Sequence, residues 1–409
     1  MNILFISLLD FHDLEERNIY TDLLKTFLKK GHYVCAVSPV ESRNSQKCSL
    51  IENEKLLLLK PMIGNTQKTN LIEKGTSILT LELILEKSIK KYTSHIKFDL
   101  VLYTTPPITF YKAVRYVKQR DNAKTYLLLK DIFPQNAIDL GMISKKWPKG
   151  IIYRYFRNKE KKLYKISDYI GCLSPANIDF FLKNNKEISN IPIEVCPNSI
   201  EPLEIIPKDK TLLKRKFNIP EDSIAFIYGG NLGKPQNIDF VVQCLKKNIN
   251  YTDRYFIICG SGTDFGKLEE FFNKTNPKNM RLINGLPKKE YDELVSACDI
   301  GLIFLDYRFT IPNFPCRLLS YMENSMPVLA CTDVNTDIGR VIESGNFGWW
   351  CESNNENIFH ETVNDICMKK NEIEKYGTNA RVYLEKNYTV EQSYQIIMKH
   401  LNNSNNDIN

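Results

Sequence analysis

Residues 297–331 read ACDIGLIFLDYRFTIPNFPCRLLSYMENSMPVLAC, from Ala297 to Cys331. The apolar run Ile300 to Leu305 has the length and composition of a buried strand. A polar, proline-bearing loop runs from Asp306 to Pro315, Arg317 to Glu323 reads as a helix, and Pro327 to Ala330 is apolar again. Strand, loop, helix, strand is the repeating unit of a parallel α/β sheet. Ligands bind such sheets where loops leave the carboxyl ends of the strands, which is where Arg317, Ser320 and the loop before them stand.

The same alternation extends upstream. Strands are expected at Ser223 to Tyr228, Arg254 to Cys259 and Met280 to Ile283, each followed by a helix, beginning near Asn237, Asp264 and Lys288. An earlier series opens with an apolar strand at residues 2–8, a helical pattern from Leu14 to Lys30 stopped by Gly31, and a strand at His32 to Ser38. After a less periodic region come Asp99 to Tyr103, a helix from Ile108 to Lys118, Lys124 to Leu129, Asp168 to Leu173 and Ile193 to Val195. Two prolines bracket the polar stretch Cys196 to Pro202, which reads as the hinge. The expected architecture is α/β, with two Rossmann-like parallel-sheet domains facing across a cleft. They occupy residues 1–200 and 201–385; residues 386–409 add a helix able to cross back and a frayed polar tail, Asn402 to Asn409.

Composition limits the function classes. The 409 residues are 43% hydrophobic and 25% charged, an ordinary globular balance. Eleven cysteines are scattered without a C-x-x-C pair, several within strand-like runs, so reduced core thiols are expected rather than a disulfide framework or a zinc site. Five separated histidines and the absence of any D-x-D argue against a metal. The opening MNILFISLLD lacks the pattern of a signal peptide, and no 18-residue window is uninterruptedly apolar, so a cytosolic location is expected. The net charge of +7 is matched by one segment, Lys145 to Lys162, which holds eight basic residues against the single acid Glu160.

Three stretches have the chemistry of an anion site. Tyr228-Gly-Gly-Asn-Leu-Gly-Lys-Pro235 closes a strand just before a helix. There glycines let backbone N–H groups approach a phosphate and Lys234 can neutralise it, although such a turn is as often only a turn. Gly260-Ser-Gly262 repeats the arrangement one unit later. Arg317, after Pro315 at a helix start, can bind phosphate bidentately, or can pair with Asp306 or Glu323 on the surface. Ser320 lies on the same helical face. The first loop of the chain, LLDFHDLEE, has no glycine, so no dinucleotide fingerprint is present.

Gly230-Asn-Leu-Gly-Lys234, the Gly260-x-Gly262 loop, Leu282-Ile-Asn-Gly285 with Cys298-Asp-Ile300, and Pro315-Cys-Arg-Leu-Leu-Ser-Tyr321 occur in the order and spacing of family 4 glycosyltransferases. Lys29-Lys-Gly-His32, Thr104-Thr-Pro-Pro107, Asp131-Ile-Phe-Pro134 and Pro197-Asn198 extend the likeness to the first half. The chain resembles that family, and within it the fucosamine-transferase-like branch of bacterial surface-polysaccharide synthesis. The resemblance implies the GT-B fold and transfer of an N-acetylated hexosamine or deoxyhexosamine from a UDP-linked donor. The acceptor implied is a polyprenyl-diphosphate-linked saccharide for capsule or O-antigen, with retention and without a metal or other cofactor.

Carried over by motif, Lys234 and Arg317 hold the donor diphosphate and Ser320 reaches the ribose. Gly230, Asn231 and Gly233 line the phosphate loop, Gly260, Gly262, Gly285 and Leu286 face the nucleobase, and Ile311 to Phe314 face the sugar. Many members carry two glutamates where this chain has Pro312 and Ser320, which leaves Asn313 as the candidate sugar contact. Many also have His-Asp where this chain has Lys130-Asp131, so no histidine is assigned and Asp131 becomes the acceptor-orienting group or base. Its structural alternative is a cap on the helix after Pro134. The other functional readings are a nucleotide-sugar epimerase of the same architecture and a catalytically idle assembly partner at a membrane.

Aromatic and aliphatic residues interleave the basic segment, so Lys145, Lys146, Trp147, Lys149, Arg154 and Arg157 are expected to contact the inner face of the cytoplasmic membrane. The alternative is a solvated helix face over a buried aromatic side. Nucleic acid ranks last as a partner because no recognition motif accompanies the charge.

Overall fold

The structure is a computed structural model describing residues 1–44, 49–65, 71–148, 150–188, 190–205 and 209–402. Short runs of branched and aromatic residues, too apolar for one wet face, form strands covered on both sides by helices. The chain divides into two units, Met1–Glu201 with Val390–Asn409, and Pro202–Thr389.

In the first unit the strands are β1 (Asn2–Ile6), β2 (Tyr33–Val37), β3 (Val40–Glu41), β4 (Ser49–Glu52), β5 (Leu56–Lys60), β6 (Met62–Ile63), β7 (Leu100–Thr104), β8 (Lys124–Leu129), β9 (Tyr169–Cys172) and β10 (Ile193–Val195). Eight of them make a sheet in the order β10-β9-β8-β7-β1-β2-β5-β4, parallel except for the β4–β5 hairpin, while β3 and β6 pair separately. The helix Val390–Asn402 returns to this unit, where Val390, Tyr394, Ile397 and Met398 join Phe5, Phe27 and Val34 in one core. Tyr394 also bonds the His32 ring at 2.9 Å. The polar tail beyond residue 402 lies outside the described residues, as does Cys48.

The second unit adds β11 (Ile224–Asn231), β12 (Arg254–Ser261), β13 (Met280–Ile283), β14 (Ile300–Phe304), β15 (Val328–Thr332) and β16 (Gly348–Glu352). They form one all-parallel sheet in the order β13-β12-β11-β14-β15-β16. Phe226 and Phe256 stack at 4.9 Å in its core, with Phe304 and Phe359 against them. The strand order reverses at β11, so the loops after β11 and β14 flank the topological switch point.

The first helix begins at Ile19, later than the apolar spacing from Leu14 suggests, because Asn18 caps it by accepting from the Tyr20 and Thr21 N–H groups. The region without clear periodicity contains β5 (LLLLK), its antiparallel partner β4 and the helix Leu71–Tyr92. A short apolar run such as LLLLK reads equally as strand or helix. Of the ten cysteines described, all are free and eight are buried.

Candidate functional site

In the second unit, β11 and β12 pair in register as far as Gly230 with Gly260 and Asn231 with Ser261. The two glycine loops are therefore neighbours on one sheet edge. Their lack of side chains is a packing requirement: a Cβ on Gly260 would stand 1.8 Å from the Gly230 carbonyl oxygen, and one on Gly262 would stand 2.3 Å from that of Leu232. Past the strands the backbone stays knitted, Leu232 N–H donating to Ser261 and Asp264 N–H to Leu232.

Arg317 opens the helix Arg317–Glu323 that follows β14. Its guanidinium carbon lies 4.1 Å from the centre of the Tyr228 ring, a cation–π contact. A Cβ on Gly230, whose φ is +124°, would come within 2.5 Å of the Arg317 guanidinium, so only glycine leaves that space. The surface pairing open to Arg317 in the sequence does not form. Asp306 is fully buried and paired with Arg308, and Glu323 accepts the Leu203 N–H. Among the described residues Arg317 has no carboxylate partner.

Lys234 starts a single 3-10 turn, Lys234–Gln236, just after the β11 loop. It is exposed, and among the described residues its ammonium has no hydrogen bond or ion pair. The Asp306 N–H donates to the Pro235 carbonyl at 2.9 Å, fixing the loop after β14 to the loop carrying Lys234. Arg317 thus lies against Gly230, and Asn231, Gly233 and Lys234 follow Gly230 in the loop after β11 at the switch point. Two cations without carboxylate partners beside close-packed backbone suit a polyanion such as a diphosphate.

Other expected contacts divide. Ser320 is half-buried one turn beyond Arg317, and Leu286 is half-buried in the loop after β13, two strands from β11. Among the described residues the buried side-chain N–H₂ of Asn313 has no hydrogen-bond partner, while its backbone carbonyl accepts from the Thr336 hydroxyl at 2.6 Å. Phe314 is a core residue, 6% exposed, with its ring 6.0 Å from Tyr388. Tyr228, Tyr291 and Tyr321 are the residues the sequence did not single out as site members. Tyr291 and Tyr321 fill the spaces over Gly229 and Gly301, and Tyr321 donates to the Ile227 and Leu302 carbonyls at 3.1 and 3.2 Å. An aromatic directly before a glycine pair at a strand end was the available signal for Tyr228.

Asp131 belongs to the first unit, in the loop after β8. It precedes the helix Gln135–Asp139, whose N-cap position is held by Pro134 without a side-chain hydrogen bond. Both Asp131 carboxylate oxygens accept from the Asn136 amide, at 3.0 and 2.9 Å. Burial pushes its pKa up to about 6, against the opposing pull of the Ile132 N–H and Asn136 and with a further push from Glu160. The Thr105 hydroxyl accepts from the N–H groups of Lys130 and Asp131 at 3.0 and 3.1 Å. Lys130 is directed elsewhere, donating to the Cys196 and Pro197 carbonyls, both at 3.2 Å.

In the basic segment, Lys145, Lys146, Trp147 and Arg154 are exposed and Lys149 lies outside the described residues. Arg157 departs from the expected surface role. It is turned inward, paired with buried Glu160 and donating to the Asn184 carbonyl at 2.8 Å and the Asn185 side chain at 2.6 Å. A buried carboxylate needs that partner more than a surface does.

Residues 209–383 match the family model Glycosyl transferases group 1. That domain spans β11 to β16 and so contains both Lys234 and Arg317. A curated relative, probable glycosyltransferase WbjE from Pseudomonas aeruginosa, is 22% identical over 79% of this chain and 79% of its own. Among solved structures, sucrose-phosphate synthase from Thermosynechococcus elongatus superposes over 100% of both chains with a TM-score of 0.74 at 13% identity. HepE from Anabaena, in complex with UDP-glucose, covers 98% of this chain and 100% of its own with a TM-score of 0.69 at 13% identity. The fold is GT-B: two α/β domains built on parallel sheets.

Proposed function

We propose that this chain is a glycosyltransferase that moves a sugar, an N-acetylated hexosamine or deoxyhexosamine, from a UDP-linked donor to a polyprenyl-diphosphate-linked saccharide. The reaction retains anomeric configuration and needs no metal or other cofactor, and its product is an intermediate of bacterial surface polysaccharide such as capsule or O-antigen. The observation that carries this reading is the position of Arg317. It is held on Tyr228 and against Gly230, beside the loop bearing Lys234, at the switch point of the group 1 glycosyltransferase domain.

In this mechanism the bond between the anomeric carbon and the diphosphate oxygen breaks, and the acceptor hydroxyl oxygen bonds the same carbon from the same face. The acceptor proton passes to the departing phosphate oxygen. Arg317 and Lys234 stabilise the negative charge that develops on the diphosphate, which is where such a reaction gains most. The unpaired Asn313 N–H₂ is suited to a sugar hydroxyl, in place of the acid absent at Pro312. Ser320 serves the ribose and Leu286 the base. Asp131, in the first unit, is assigned to orient the acceptor hydroxyl, whose hydrogen bond it accepts once ionised above about pH 6.

A thermal-shift screen of nucleotide sugars tests the donor claim, since a ligand that binds only the folded protein raises its apparent stability. UDP-sugars are expected to raise the midpoint. No shift with any UDP, GDP or ADP sugar would refute the donor site, and turnover of a UDP-sugar without acceptor would favour an epimerase.

A further inference from the structure

The helix Gly150–Ile166 is anchored by its inner side, where Glu160, Leu163 and Tyr164 are buried and Phe156 meets Phe133 at 5.0 Å between ring centres. Its N-terminal half and the loop before it face outward with the wrong composition for a solvated surface. Trp147 is 80% exposed, Ile151 59%, Met142 56% and Ile152 52%, and Tyr155 is exposed with them. Lys145, Lys146 and Arg154 are exposed in the same segment, and residues 142–158 contain no acid. Phe156 and Tyr164 of the helix point inward, but Tyr155 on the helix and Trp147 in the loop before it point out. Exposed apolar groups clustered to this extent mark a surface that has a partner.

We propose that this face docks on an anionic lipid bilayer, with Trp147, Ile151 and Met142 entering the headgroup region and Lys145, Lys146 and Arg154 contacting lipid phosphates. Three features favour lipid. Indole and aliphatic groups beside lysines match the polar-to-apolar gradient of a bilayer interface. The charge is of one sign, so a second copy in a two-fold contact would set cation against cation. Ile151, Ile152 and Met142 offer a nucleic acid neither stacking rings nor donors. No described helix is long and apolar enough to cross a membrane, so the contact is peripheral. The surface uses no residue of the nucleotide site, and its test is independent of that site.

The full chain is sedimented with phosphatidylcholine vesicles, with and without phosphatidylglycerol. It is expected to pellet only with the anionic vesicles and to be released by salt. Replacing Lys145, Lys146 and Arg154 together by Glu should weaken binding by about a hundredfold or more. W147S combined with I151S should lose retention even at low salt. Both variants change exposed side chains, so each should keep the wild-type melting midpoint and any nucleotide-sugar shift. Failure to pellet, equal pelleting with neutral vesicles, or undiminished binding by either variant overturns the proposal. It is equally overturned by RNA capture, or by a dimer lost in W147S, if vesicles are not bound.

Discussion

The Tyr228 ring lies under the Arg317 guanidinium at 4.1 Å, and the same phenol donates to the Asn231 carbonyl at 2.7 Å. One side chain therefore sets both the cation and the loop that precedes Lys234. Holding both before ligand arrives reduces the ordering that binding must otherwise supply. Tyr228→Leu is expected to weaken nucleoside diphosphate binding about tenfold, the scale of a partly desolvated cation–π contact. Tyr228→Phe, which keeps the ring, should lose less. Equal losses in titrations of the two variants would place the effect in the hydroxyl instead.

Glycines near the site differ in what they can tolerate. Gly260→Ala forces a methyl into the Gly230 carbonyl and should cost about 3 kcal/mol or more, as overpacking against backbone does. Gly266 has open space around its Cβ position and lies in the helix Phe265–Thr275, so Gly266→Ala should gain roughly 0.5–1 kcal/mol. Urea midpoints of the two variants check both signs.

Asp131 gives stability a defined pH dependence. Its folded value of about 6 lies above the ordinary 3.8, so its contribution is full below pH 3.8 and is lost as pH rises through 6. Asp131→Asn removes that loss. The variant's stability relative to wild type should therefore improve between pH 4 and pH 7, by up to about 3 kcal/mol. If Asp131 also assists the acceptor, wild-type transfer should rise through pH 6 and the variant's should be low and flat. A constant stability difference across that range would contradict the buried carboxylate.

Neighbouring arginines on one helix should behave oppositely. Arg157→Ala strands Glu160 in the interior and should destabilise by about 3 kcal/mol. Arg154→Ala, at an exposed position, should stay within about 0.5 kcal/mol of wild type. Thermal or urea unfolding distinguishes them.

These contrasts show what was legible in the sequence. The strand Ile300–Phe304, its proline-bearing loop and the helix from Arg317 were readable because apolar runs and prolines act locally. The region containing β5 and the helix Leu71–Tyr92 was not, because a four-leucine run has no period of its own. In the site, both glycine loops were visible as strand ends, but their mutual contact comes from the Gly230–Gly260 register. The Tyr228–Arg317 contact joins residues far apart in the chain and exists only because β11 and β14 are neighbours. Arg157 shows the converse: its charge suggested a surface role, and the buried Glu160 beside it decided otherwise.

The central claim is that Arg317 and Lys234 bind the diphosphate, and it is tested most directly by calorimetric titration of UDP and uridine into wild type, Arg317→Ala and Lys234→Ala. Each lost charged contact should weaken UDP binding by about ten- to a hundredfold while leaving uridine nearly unchanged. If both variants bind UDP as wild type does, or lose uridine and UDP equally, the two cations do not read the diphosphate and the account is wrong.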